Sequence, residues 1–207
     1  MNIRQKRAFF LRVFRKVERK YAQNTKRLAG EGWVYDWQTL IVTIMSAQSR
    51  DETTIPIAEN LFKRYSSLES LAQADYNDVL GIFMSLNYNR TKARNVIAAS
   101  QLILKEFDGR IPDRIEELVC IPGVGRKTAN LVLSEVHKKQ RITVDTHVHR
   151  ISNVLGLVRT KTPIETEYAL EKIVPQRYWS RINRLFVLWG KDVPGRDKRE
   201  LLRILEK

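Results

Sequence analysis

The stretch Leu118-Val119-Cys120-Ile121-Pro122-Gly123-Val124-Gly125-Arg126-Lys127-Thr128-Ala129-Asn130 stops one helix, makes a glycine turn and starts another. Pro122 cannot continue the first helix, because it lacks an N–H and its ring clashes with the preceding turn. Gly123 and Gly125 permit positive φ and close approach of the backbone to a ligand. The turn feeds the N-terminus of an apolar helix, whose unpaired N–H groups and positive dipole end suit one phosphate. A Walker-type loop would need Gly at Arg126, and a dinucleotide fingerprint a third Gly at Thr128 after a strand, so neither pattern is met. What remains is an ordinary capped helix–helix turn or a phosphate-binding hairpin. Lys127, in the first turn of the second helix, and Asp145 eighteen residues later in Val144-Asp145-Thr146-His147 favour the hairpin with a chemical role.

Composition points to the partner. The chain has 207 residues, 43% of them hydrophobic, enough for one or two modest cores. A formal charge of +14 makes a polyanion the natural ligand, either nucleic acid or an anionic membrane face. No apolar run approaches the ~18 residues of a membrane span, and the first residues do not read as a signal peptide. The expectation is an intracellular protein of the cytoplasm or nucleoid that associates with nucleic acid, does not enter membranes, and is a monomer. A single cysteine, Cys120, excludes an internal disulfide, and its place between Val119 and Ile121 suggests a small buried packing residue.

Outward from the hairpin, the chain reads as all-α. Phe10, Phe14, Val17 and Tyr21 recur at helical spacing within residues 4–22, with basic residues on the remaining faces. Asp36 is expected to cap a helix through Trp37, Leu40, Ile41, Ile44 and Met45, which delivers Ser46-Ala47-Gln48 to its end. Pro56 is expected near the start of the next helix. Short helices capped near Ser67 and Asp75 follow, then a longer one from about Thr91 to Gly109; Pro112 and Asp113 open the first helix of the hairpin. Arg141 to Val144 is extended. Thr162-Pro163-Ile164-Glu165 reads as a capping box with Pro at the first helical position. A helix from Trp179 to Trp189 is expected to stop at Gly190, and a last one to run from Asp197 to the end. No period-two strand or repeat is present.

The segments Ile121 to Asn130 and Val144 to His147, with Ser46-Ala47-Gln48-Ser49-Arg50-Asp51 upstream, closely resemble endonuclease III-type DNA glycosylases of the helix-hairpin-helix superfamily. The resemblance is colinear from about Trp37 to Gly190. It implies a two-lobed fold: a six-helix barrel domain carrying the hairpin over 29–139, and a second lobe made by both termini, 1–28 plus 140–207. On that mapping Lys127 and Asp145 face each other across a cleft. The chain departs from the family in one respect. Members of this type usually end with four cysteines that hold an iron-sulfur cluster, the first where Pro194 stands, and this chain has no cysteine after Cys120. No cofactor is therefore expected.

The resemblance also assigns roles. Lys127 is the nucleophile for C1′ of the sugar and Asp145 the carboxylate that stabilises the cationic sugar and moves protons. An amine attack gives a Schiff base, and β-elimination of the 3′ phosphate cuts the strand. Gly123, Val124, Gly125 and Arg126 would hold the DNA backbone. Gln48 would fill the hole left by an extruded base, with Tyr88 or its rival Leu86 as the wedge. Asp51 and Ile44 are expected near the base pocket. Adenine-excising relatives carry glutamate where Ile44 lies and lack the hairpin lysine, so Lys127 argues for the bifunctional branch. His147 is expected to orient Asp145 or touch the DNA backbone; with His149 it does not make a metal site, because residues two apart do not share a helix face. The expected function is a glycosylase and AP lyase acting on oxidised or ring-saturated pyrimidines in duplex DNA. The rivals are an enzyme that mainly nicks abasic sites and a non-catalytic DNA-binding hairpin module.

Overall fold

The computed structural model describes residues 1–206, and among them every regular element is helical. The chain divides into two compact units, Arg27–Lys138 and Met1–Lys26 with Lys139–Lys207.

The first unit is built around α2 (Asp36–Ser46), in which every residue from Gln38 to Met45 is buried. A helix that is buried on all sides can only be a central one. It packs against α3 (Asp51–Arg64), α6 (Asn89–Phe107) and α8 (Arg126–Glu135), and α4 (Leu68–Ala72) and α5 (Tyr76–Ile82) lie along α6. Leu40, Ile41, Leu61, Leu71, Phe83, Val96, Ile103, Val132 and Leu133 are fully buried. Each such side chain contributes roughly 1.5–3 kcal/mol of hydrophobic stabilisation. Trp33 and Trp37 both set their faces at steep angles to the Phe62 ring, with centroids 5.1 Å away.

The helix starts correct the sequence reading in detail. Tyr35, not Asp36, is the N-cap of α2, and the Gln38 side chain accepts from the Tyr35 N–H at 3.2 Å. Helix α3 begins at Asp51, which leaves Pro56 in its second turn at the loss of one backbone hydrogen bond. Helix α6 starts at Asn89, behind a Tyr88 in the left-handed conformation. Ser67 and Asp75 cap α4 and α5 as expected.

In the second unit, α1 (Ile3–Tyr21) buries Phe10, Val13, Phe14, Val17 and Tyr21 as one stripe. Against it lie α10 (Pro163–Ile173) and α11 (Trp179–Asp192), and α9 (Thr146–Val154) packs on α11. The extended residues before α9 are held by Asn183, whose amide donates to the Thr143 carbonyl at 3.1 Å. Thr162 caps α10 through the Glu165 N–H, and the Glu165 carboxylate accepts from Lys161 N at 2.9 Å.

Gly190 does not stop α11, which runs on to Asp192. A Cβ at this position would lie 2.3 Å from Nδ1 and 2.9 Å from Cβ of His147. The glycine makes room for a neighbouring helix.

Beyond α11, Asp197 caps α12 (Lys198–Arg203) through the Arg199 N–H at 2.7 Å. Leu201 is buried, and its carbonyl accepts from the fully buried Trp189 indole at 3.2 Å.

Candidate active site

The first unit carries the hairpin. Helix α7 (Ile115–Leu118) is a single turn, and its chain is drawn round by successive bonds from Ile121 N to Leu118 O and from Val124 N to Ile121 O. Ile121 and Val124 are 2% and 6% exposed, so the turn is pinned into the core by its two apolar residues. The two glycines do different things. Gly123 has φ +82°, and a Cβ there would meet Ile44 Cγ2 at 2.8 Å and Asn95 Nδ2 at 3.0 Å, so both conformation and space demand glycine. Gly125 is extended (φ −92°, ψ 176°) as the N-cap of α8, and a Cβ there would meet nothing within 4 Å. Of the two glycines that could take positive φ only Gly123 does, and Gly125 leaves open space over the start of α8. Arg126 and Lys127 open that helix, Arg126 half-buried and Lys127 exposed.

Ile44 is 2% exposed and lies directly beneath Gly123. Its contact is with the turn, so it supports the hairpin rather than lining an open pocket. Two residues past the end of the same helix, Gln48 projects as an exposed residue with φ 53°. Helix α2 therefore fixes the hairpin turn and the Gln48 corner to one rigid element. Asp51 opens α3 and accepts from the Ala29 N–H at 3.1 Å, which joins that helix to the chain before α2.

Tyr88 is 65% exposed, whereas Leu86 is 4% exposed and part of the core. The alternative that Leu86 is the wedge is corrected on that ground, because its side chain has no surface to offer. Cys120 is exposed, not buried, and its thiol donates weakly to the Glu116 carbonyl.

In the second unit, Asp145 is the N-cap of α9 and accepts from the Val148 N–H at 2.8 Å. A carboxylate at this place faces the positive end of the helix dipole. Arg150, one turn on, donates to the carbonyls of Gly190, at 3.0 Å, and of Gly195. Burial first and the Arg196 charge second lower the Arg150 pKa, against the opposing pull of Asp145. His147 packs on α11 at Gly190, and His149 Nδ1 lies 2.7 Å from Thr166 Oγ1. The two histidines engage different partners.

Among the described residues no group of three or more His, Cys, Asp or Glu is placed to hold a metal ion. The segment after α11, where the family resemblance implies an iron-sulfur cluster, offers hydrogen bonds in place of thiolates. Arg150 reaches the Gly195 carbonyl, and Lys198 Nζ donates to Leu155 O at 3.0 Å. With no cysteine in that segment, its donors do not fit a four-thiolate cluster.

The sequence reading missed Asn87, Lys92, Asn95 and Arg150. For Lys92 a signal existed: it shares the helical register of Val96, Ala99 and Ile103, all buried, and is itself 5% exposed.

The described residues are all-helical in their regular elements, with a glycine hairpin that leads into a helix N-terminus, an arrangement that suits a class of nucleic-acid-binding proteins. The profile of the HhH-GPD superfamily of base excision DNA repair proteins matches residues 41–176, and the chain belongs to this superfamily, as a base-excision DNA glycosylase. It is 43% identical over 157 residues to endonuclease III of Thermotoga maritima, covering 76% of this chain and 74% of that one. To endonuclease III of Synechocystis it is 40% identical, covering 75% and 72%. Among solved structures, a trapped endonuclease III–DNA covalent intermediate superposes with a TM-score of 0.84 at 27% identity, over 91% of this chain and 88% of that one. A thermostable thymine-DNA glycosylase shares the fold, with a TM-score of 0.74 at 16% identity.

Proposed function

We propose that the protein is a bifunctional DNA glycosylase and AP lyase that removes oxidised or ring-saturated pyrimidines from duplex DNA. The observation that carries this is the exposed Lys127 in the first turn of α8, behind the open Gly125 backbone, in a chain of this superfamily. On this reading Arg27–Lys138 is the barrel domain, the other unit is the second lobe, and Lys127 and Asp145 act on one deoxyribose.

The Lys127 amine, in its neutral form, attacks C1′. The C1′–N bond breaks and the base leaves with a proton. Asp145 stabilises the positive charge that develops on the sugar and carries protons between steps. Ring opening gives a Schiff base; loss of a C2′ proton then expels the 3′ phosphate and cuts the strand. Gly123, Gly125 and Arg126 hold a backbone phosphate at the helix start, and Val124, its side chain buried and its N–H bonded to Ile121 O, pins the turn that presents them. Gln48 and Tyr88 enter the duplex where the base leaves, and Asp51 lies toward the pocket. His147 places the first turn of α9, and with it Asp145, against α11. The retention of both Lys127 and Asp145 supports an enzyme over a binding module, which needs only the turn and its basic charge. The charge of +14 supports a polyanionic duplex as substrate.

The test is borohydride trapping on a panel of duplexes carrying oxidised pyrimidines, ring-saturated pyrimidines or an abasic site. Covalent adducts on the lesion-bearing duplexes are expected. Adducts on the abasic duplex alone would replace this reading with that of an abasic-site lyase.

A further inference from the structure

Two exposed residues of the first unit, Gln48 and Tyr88, hold left-handed backbone conformations at φ 53° and φ 58°. For a residue with a Cβ this costs on the order of 1 kcal/mol, and it persists only where surrounding contacts impose it. Neither side chain is buried, so packing of the side chains does not impose it. Hydrogen bonds between the two corners do. The Asn87 amide donates to the Gln48 carbonyl at 2.6 Å, and Lys92 Nζ donates to Ser49 Oγ at 2.8 Å. Thus each corner is tied to the other by two bonds, one from either side of Tyr88.

The chain around Tyr88 is braced as well. Asn89 Nδ2 donates to the Met84 carbonyl at 3.2 Å, and Leu86 anchors the loop from below in the core. Lys92 itself is an expensive choice for a brace. It stands in the apolar stripe of α6, and a hydroxyl is the side-chain partner of its ammonium. A buried cation without a carboxylate is destabilising relative to an apolar side chain of the same volume. What the ammonium supplies is a directed bond to the residue after Gln48, which an apolar chain cannot make.

We propose that Asn87 and Lys92 are positioning residues that lock the Gln48 and Tyr88 corners into one rigid two-pronged probe of the duplex. This rests on the reading of Gln48 and Tyr88 as the residues that enter DNA at the extruded base. Prongs fixed before contact spend no binding energy on ordering, so more of it goes into unstacking the target nucleotide. The two positions lie 40 residues apart in sequence, and only the cross-bonds make them one device.

The experiment uses the full chain and a duplex with one ring-saturated thymine beside 2-aminopurine, whose fluorescence rises on unstacking. Asn87→Ala and Lys92→Met are each expected to slow the fluorescence rise and single-turnover excision about tenfold. Affinity for undamaged duplex should stay within about twofold, a split that general loss of structure would not give. In a Gln48→Ala background the same changes should cost clearly less than the tenfold seen in the parent, because one of the two prongs they hold is gone. Asn87 is exposed, so its variant keeps the test valid even if Lys92→Met folds poorly. Parental rates for Asn87→Ala beside an impaired Gln48→Ala would overturn the clasp alone. Losses that multiply fully in the double variants would do the same. A Gln48→Ala enzyme as fast as the parent would overturn the reading of the probe on which the clasp rests.

Discussion

Replacing Gly190 by alanine puts the packing of α9 on α11 to a quantitative test. Helix propensity alone favours the change: alanine in a helix interior is worth about 1 kcal/mol over glycine. The structure opposes it. The new Cβ would stand 2.3 Å from Nδ1, 2.8 Å from Cγ and 2.9 Å from Cβ of His147. Because the His147 Cβ is among these atoms, a ring flip does not relieve the overlap, and the start of α9 must shift with it. Overpacking of this kind costs about 1–3 kcal/mol, and an off-rotamer ring adds roughly 0.5–1.5 kcal/mol. Set against the propensity gain, the net loss is about 1–3 kcal/mol. For a chain of this size that lowers Tm by roughly 2–4 °C per kcal/mol, so a fall of about 2–12 °C is expected by far-ultraviolet circular dichroism. On a His147→Ala background two of the three close atoms are gone, and the penalty should shrink by about 1 kcal/mol or more, a coupling that independent sites would not show. A Gly190→Ala protein as stable as the parent, or more so, would refute the reasoning.

Gly123→Ala combines a positive φ with an overlap of 2.8 Å on Ile44, so a loss of about 2–4 kcal/mol is expected in denaturant melts, and Gly125→Ala, with open space, should lose under about 1 kcal/mol. Burial first, then the Asp192 hydrogen bond and charge, raise the Tyr21 hydroxyl above its ordinary pKa of 10.0. Its contribution is complete below that value and is lost as pH rises beyond it, so stability should decline above about pH 10, and Tyr21→Phe should flatten that decline. Burial pushes the Lys92 amine down to about 8. Between there and the ordinary lysine value of about 10.4 the unfolded chain binds the extra proton, so stability should rise with pH across this window in the parent and not in Lys92→Met.

The apolar stripes carried most of the fold. Phe10, Phe14, Val17 and Tyr21 are buried as their spacing required, and the polar caps Ser67, Asp75 and Thr162 begin helices as their side chains predict. The failures share a cause: local chemistry was overridden by a distant neighbour. Gly190 looked like a stop because the His147 ring that fills its missing side chain lies forty-three residues earlier. Cys120 looked buried between two apolar residues, yet the hairpin turns its thiol outward while Ile121 points in. Leu86 was a rival to Tyr88 for the wedge because the sequence does not tell which of the two the core claims. Of the candidate site, the places of Lys127 in the first turn of α8 and of Asp145 as the cap of α9 were legible from the turn and cap residues around them, whereas their pairing rests on the family resemblance. Asn87 was not, since a hydrogen bond between loops leaves no periodic trace, and Lys92 showed only through its place in the apolar register of α6.

The central claim concerns the amine of one residue. Borohydride reduction of the protein on a lesion-bearing duplex, followed by proteolysis and mass spectrometry, locates the attached sugar. The account predicts a deoxyribose remnant on the peptide containing Lys127, and no adduct with Lys127→Ala. A remnant on another lysine or on the N-terminal amine, or trapping at parental rate without Lys127, would contradict it.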